Sequence, residues 1–157
     1  ITMLSLLFVI PHGLDSKASK DFAKFEFSEY AIFNITQEGI KESLFAKKGY
    51  HYDNKEILEH ITYTKEINNI STHIKAKTAL YQDNIIEFSQ DVALEQDNQF
   101  KLTANHIIYD LKNNFIYSHN PFLMTQSNGY LSGRNFTYNL SDKIFISEKS
   151  FAHYTFY

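Results

Sequence analysis

A chain of 157 residues has room for one domain with a substantial core, and its 15 Lys plus Arg against 18 Asp plus Glu are spread without a basic face, which excludes nucleic acid as a partner. The 14 Phe and 11 Tyr, with no Trp and no Cys, favour β structure and exclude disulfide and thiolate–metal frameworks. Only 5 glycines are present, none in a G-x-S-x-G or phosphate-loop spacing, so a nucleotide cradle has no material to be built from.

The first ten residues, from Ile1 to Ile10, carry no charge and end at the helix-stop signals Pro11 and Gly13. As a helix they reach about 15 Å, roughly half of a bilayer's hydrocarbon core. The chain begins at Ile, and residues 1–11 read as the C-terminal half of a truncated transmembrane helix, followed by a polar linker over 12–24 and a domain over 25–157. A signal-peptide core with a small-x-small cleavage site at Ser16-Lys17-Ala18 is the rival reading. Either sends the rest of the chain across a membrane. A buried N-terminal strand or helix is disfavoured, because the polar linker would separate it from the domain.

From Phe25 onward strand signals dominate. Ile86, Phe88, Val92 and Leu94 share one apolar face, with Glu87, Ser89, Asp91 and Glu95 directed away or lying past it, as a half-buried strand demands. The same alternation groups Ile57, Ile61 and Tyr63, then Ile116, Phe122 and Met124, then Ile144, Ile146, Ala152, Tyr154 and Phe156. Pro121 cannot donate to a ladder and marks an edge or a bulge. Turn chemistry falls at 53–55, 83–84, 112–114, 127–129 and 141–143, where Asn, Asp and Gly tolerate left-handed backbone. About nine strands in meander order result.

One phrase recurs four times: an aliphatic residue, one intervening residue, a small residue, then a tyrosine five or six places on. It reads Leu44-Phe45-Ala46 to Tyr52, Ile74-Lys75-Ala76 to Tyr81, Leu102-Thr103-Ala104 to Tyr109 and Leu131-Ser132-Gly133 to Tyr138. The period suits one hairpin per repeat. Leu102 and Ala104 share a parity that Ala104 and Ile107 do not. A bulge beside the small residue restores all three to one face, so the sheet is expected to be strongly twisted and curved. Packing is the expected role of the tyrosines.

Catalytic constellations are poor. The histidines are scattered, with no H-x-H or H-x-x-x-H pair, and the acidic pairs Asp91/Glu95 and Glu56/Glu59 fall on faces expected to be solvated. Lys41, Lys47 and Lys48 form a small basic group that suits a solvated face or a lipid phosphate. Neither an enzyme nor a cofactor is expected.

The leader, its linker into Phe25-Glu26-Phe27, and the segments 44–53, 102–110 and 131–138 together resemble the LptC family of lipopolysaccharide export proteins, within the wider superfamily that contains LptA. The resemblance implies an all-β, open, twisted β-jellyroll of antiparallel meandering strands, preceded by an N-terminal transmembrane helix. It implies a single-pass protein of the inner membrane of a Gram-negative bacterium with its β-domain in the periplasm. Its partners would be lipopolysaccharide, a LptB/LptF/LptG-like ABC transporter and a LptA-like bridge protein, and it would pass lipid from the transporter to the bridge without catalysis. Residues expected to line the lipid-binding interior are Ile86, Phe88, Val92, Leu94, Ile116, Phe122, Met124, Ile144 and Ile146. Each also suits plain core packing, and both roles stay open at this point. The final segment, with Phe151, Ala152, Tyr154 and Phe156, reads as an uncapped edge strand that invites strand addition; the resemblance makes it the LptA-joining edge. A soluble LptA-like bridge and a structural or adhesive β-solenoid without lipid are the alternatives.

Overall fold

The computed structural model describes residues 3–11, 24–37, 41–67, 69–97 and 99–155. Ten strands follow one another: β1 (Met3–Pro11), β2 (Phe25–Thr36), β3 (Lys41–His51), β4 (Glu56–Ile67), β5 (Ile70–Gln82), β6 (Ile85–Gln96), β7 (Phe100–Asp110), β8 (Phe115–Gln126), β9 (Gly129–Asn139) and β10 (Ile144–Tyr154). They form one antiparallel sheet in which spatial order equals chain order. The nine strands from Phe25 on match the expected meander, and β1 is an addition to it.

β1 differs from the structure expected of the leader. Met3–Pro11 is a strand paired with β2 from Met3↔Thr36 to Pro11↔Phe27, where the end of a membrane helix was expected. An uncharged run rich in Leu, Val, Ile and Phe suits either structure, and pairing as a strand satisfies the backbone groups that the edge of β2 would otherwise leave bare. Among the described residues no helix is long and apolar enough to cross a membrane. The expected linker lies outside the described residues except for Lys24, whose N–H donates to the His51 carbonyl at 2.8 Å and whose ammonium pairs with Asp53.

Every strand from β2 on is interrupted near its middle, and the interruptions line up across the sheet. Pairing lapses at Glu29 opposite Lys47, at Lys47 opposite His60, and at His60 opposite Lys77. Register shifts then follow between Lys75 and Thr78, Ser89 and Val92, Ala104 and Ile108, Ser118 and Pro121, and Ile146 and Phe151. Glu29, His60, Gln90, Asp91, Asn135 and Lys149 take positive φ there, between 48° and 68°. Side chains patch the lapsed ladder: the Ser118 hydroxyl donates to the His106 carbonyl at 2.5 Å and accepts the Asn120 N–H at 3.1 Å. The line is a crease, since each bulge bends and twists its strand.

The small residue of each repeat stands just before the crease, as the parity argument requires. Ala104, Ile107 and Tyr109 all face inward, and so do Gly133, Phe136 and Tyr138. At Gly133 a Cβ would stand 3.1 Å from the Glu148 carbonyl and 3.2 Å from the Phe122 ring, so the crease has little room for more than hydrogen. The Asp83-Asn84 turn has φ of 52° and 61°, the two-residue hairpin with both central residues left-handed. Pro121 sits at a shift in register, the bulge alternative of the two expected.

The crease also corrects two faces. In β4 the inward residue before the break is Leu58, 1% exposed, and not Ile57, because His60 is left out of the pairing and the alternation restarts at Ile61. In β10 the inward residue is Phe145, opposite the buried Tyr138, so Ile144 and Ile146 point outward and are 54% and 63% exposed.

A left-handed Gln90 costs about 1 kcal/mol or more relative to glycine. Gln90→Gly is therefore expected to leave the urea midpoint unchanged or raise it, whereas the β-branched Gln90→Val lowers stability by roughly 1–2 kcal/mol. A Gly variant less stable than the Val variant would contradict the crease geometry.

Candidate functional site: the trough and its mouth

The crease turns one sheet into two facing halves. In a flat sheet, β4 and β7 would lie about 14 Å apart at about 4.8 Å per strand. Instead the Tyr63 and Tyr109 rings meet edge to face at 5.4 Å, and Phe100 of β7 reaches Tyr138 of β9 at 5.6 Å. In each of these pairs one residue lies on either side of the crease. Phe122 joins them, contacting Phe136 at 5.2 Å and Phe145 at 5.5 Å. Aromatic pairs in these edge-on arrangements add about 0.5–1.5 kcal/mol beyond their buried area.

Between the halves lies a long apolar interior. Ile86, Phe88, Val92, Leu94, Ile116, Phe122 and Met124, all expected there, are brought into one cluster and are at most 5% exposed. Ile144 and Ile146 are not part of it. Phe151 is 61% exposed on the outer side of β10, Ala152 and Tyr154 face the other way along the same strand, and Phe156 lies outside the described residues. β10 pairs only with β9, so it is an edge strand. Leu102, Ile107, Phe136 and Phe145, absent from the expected lining, complete the cluster or pack on it. The repeat carried the first three; Phe145 stands in the opposite parity from the isoleucines that flank it.

Opposite the crease, the strand tips of the two halves approach one another and form a mouth. Its closure is polar. The Lys65 ammonium donates to Asn114 Oδ1 at 2.5 Å, and Tyr109 donates to the same oxygen at 3.2 Å. Tyr138 donates to Gln96 Oε1 at 3.1 Å, while Gln96 Nε2 donates to the Thr72 hydroxyl at 3.3 Å. Tyr63 donates to Glu42 Oε2 at 2.7 Å, and the other Glu42 oxygen is 3.9 Å from Lys65. Farther along, Tyr30 donates to Glu56 at 2.7 Å. Burial pushes the phenols of Tyr30, Tyr63, Tyr109 and Tyr138 upward; Glu56 adds to the shift at Tyr30, and Glu42 adds at Tyr63 and Tyr109. Burial moves the Lys65 ammonium the other way, downward against the opposing pull of Glu42. A cavity of about 210 Å³ opens at this mouth, with Lys65, Thr72, Gln96, Asn114, Ser141 and Lys143 among its walls.

Apart from Glu56, the other charged groups stand on the outer faces. Lys48 pairs with Glu26 at 3.5 Å and is half exposed, while Asp91 meets Lys77 at 2.9 Å on the wet side. His51, His73 and His106 pair with Glu56, Asp97 and Glu87. Among the described residues no three His, Asp or Glu side chains converge as metal ligands would.

One antiparallel meander, creased along its middle and closed over an apolar interior with a polar mouth and an open edge, defines a β-jellyroll domain. The family model described as "Lipopolysaccharide-assembly, LptC-related" matches residues 14–149, and the chain belongs to that family, which takes part in lipopolysaccharide transport in the Gram-negative envelope. The family is a component of transport machinery and is generally non-enzymatic. A comparison with curated proteins finds no match.

The raised tyrosine pKa values set an alkaline limit. A phenol whose folded pKa exceeds its unfolded value, near 10, contributes stability that is complete below about pH 10 and lost as pH rises through the folded value. Denaturant titrations between pH 8 and 12 are expected to show a fall beginning near pH 10. Tyr109→Phe is expected to flatten that fall while lowering stability at pH 8 by about 1 kcal/mol, through the lost bond to Asn114.

Proposed function

We propose that the domain holds the acyl part of lipopolysaccharide in its trough and passes it from a LptB/LptF/LptG-like transporter to a LptA-like bridge protein, without catalysis. The observation that carries this reading is the asymmetry of the closure. One side is a continuous covalent crease, and the other is held, among the described residues, by three direct hydrogen bonds between the halves, Lys65 to Asn114, Tyr138 to Gln96 and, farther along, Tyr30 to Glu56. Three such bonds, two of them to a charged group, contribute roughly 4–7 kcal/mol net. Burying ten acyl methylenes contributes about 8 kcal/mol at about 0.8 kcal/mol each. A guest that replaces the facing half as the cover of the interior can therefore open the mouth, and an acceptor with a similar trough can draw it out again.

Opening and hand-over place further requirements on the two edges. β10 offers unpaired backbone groups to a partner strand, and its exposed Ile146 and Phe151 add apolar contact beside them. Anchorage of the leader in the inner membrane, with the domain in the periplasm, belongs to the same proposal; it requires Met3–Pro11 to leave β2, which would free the opposite edge for the transporter.

A photo-crosslinking side chain at Phe88 or Phe122 is expected to yield lipopolysaccharide adducts that depend on ATP hydrolysis by the transporter. One at Phe151 should capture the bridge protein, and one at Phe45, exposed on β3, should capture neither. Adducts confined to a wet-face position such as Glu87 would overturn the trough as the path. The closely packed interior also suits a structural domain with a dry core. That second reading requires native mass spectrometry of gently purified protein to show no bound lipid, and a Phe88→Ser variant to lose about 3–5 kcal/mol of stability with no separate defect in transport.

A further inference from the structure

The cavity at the mouth has an excess of hydrogen-bond donors. Asn114 Oδ1 is already shared by Lys65 and Tyr109, Gln96 Oε1 is taken by Tyr138, and the Thr72 oxygen accepts from Gln96. These bonds consume acceptors. They leave the Asn114 amide N–H groups, the Thr72 hydroxyl proton and two of the three Lys65 N–H donors without a hydrogen-bond acceptor among the described residues, although the ammonium also lies 3.9 Å from Glu42 and 5.6 Å over the Tyr109 ring. Ser141 adds a hydroxyl and Lys143 a second ammonium, and among the described residues no carboxylate lines the space. Its volume of about 210 Å³ equals that of about seven waters at roughly 30 Å³ each.

Lys65 is the unusual member. It occupies an inward position of β4, two residues beyond Tyr63 and four beyond Ile61, and its side chain is only 5% exposed. An aliphatic residue would fit the alternation without the desolvation that an ammonium suffers there. The nearest carboxylate, Glu42, is 3.9 Å away and already accepts a hydrogen bond from Tyr63. A neutral amide oxygen is the one hydrogen-bond acceptor of this buried charge among the described residues. Ile67, Ile70 and Leu140 provide an apolar floor that continues toward the interior.

We propose that this cavity is an oxyanion site, in which Lys65 and Lys143 take the phosphate group of an acylated glycolipid while Asn114 and Thr72 donate to its oxygens. The site rests on the lipid reading above and deepens it: the phosphate docks at the mouth while the acyl chains enter the trough behind it. Because Lys65 also fastens the mouth to Asn114, an arriving phosphate competes for the same ammonium and loosens the closure at the moment the chains need entry.

The test compares lipopolysaccharide with its enzymatically dephosphorylated form, bound to the full chain and to Lys65→Met and Lys65→Met/Lys143→Gln variants, with inorganic phosphate as a separate probe. The native protein is expected to prefer the phosphorylated form at least tenfold, and the double variant to bind both forms within twofold of each other. Melting temperatures report whether the variants fold; Lys65→Met, which removes a buried charge, is expected to melt no lower than the native chain. Inorganic phosphate at millimolar concentration should shift the side-chain amide resonances of Asn114 in the native protein and not in Lys65→Met. Equal binding of the two lipid forms by the native chain overturns the oxyanion site and leaves the trough standing. Failure of the native chain to bind either form, with the phosphate shifts intact, overturns the lipid reading and keeps an anion site that serves free phosphate. Absence of both signals overturns both.

Discussion

Pairing between successive strands is interrupted along a line that crosses the sheet, and the rest of the structure depends on that line. Strands of 11 to 13 residues from β2 to β10 are too long to make a compact two-layer domain if they stay straight. Left-handed residues such as His60 and Gln90, together with the two-against-one bulges, fold each strand over its own other half. The conformational cost of these residues is offset by the aromatic contacts that the bend permits, among them Tyr63 on Tyr109 and Phe122 on Phe136. Removing the crease would return the interior to a flat apolar face.

The same construction makes the domain unequal on its two sides. Nine chains of covalent bonds cross the crease, while the mouth is held by buried polar side chains that water or a ligand can replace. The apolar interior contributes most of the stability, and the polar mouth contributes little by comparison. On the proposed lipid-transfer reading, it decides where the domain opens. A conduit needs this division, because a barrel sealed by ladder hydrogen bonds all round would have to break many of them to admit a guest.

Much of the architecture is legible from residue patterns. The recurring small residue at 46, 76, 104 and 133 marks the crease because a parity mismatch of one residue has few physical solutions, and a break in the ladder is the simplest. The turns at 83–84 and 112–114 announce themselves through Asp and Asn residues that tolerate positive φ, as Asp83, Asn84 and Asn114 do. Where reading fails, the failure has the same origin. Ile57 and the pair Ile144 and Ile146 were placed by alternation carried across a break, and each break resets the alternation by an amount that local sequence does not disclose. Once Phe145 is seen opposite Tyr138, the parity of β10 is settled by pairing with its neighbour. The leader is a different case, since its composition serves a strand and a membrane helix equally.

By itself the sequence determined the all-β class, the meander order, the position of the bends and the family resemblance, because alternation, turn chemistry and the repeat are local properties carried within some thirty residues. Only the tertiary structure decided which side of β10 faces in, that Met3–Pro11 lies along β2, and that Lys65, Asn114, Gln96 and Tyr138 meet at one mouth. Those four residues span more than seventy positions of chain and lie on different hairpins. Their meeting depends on how far the creased sheet closes on itself, and that is set by the packing of all its strands together.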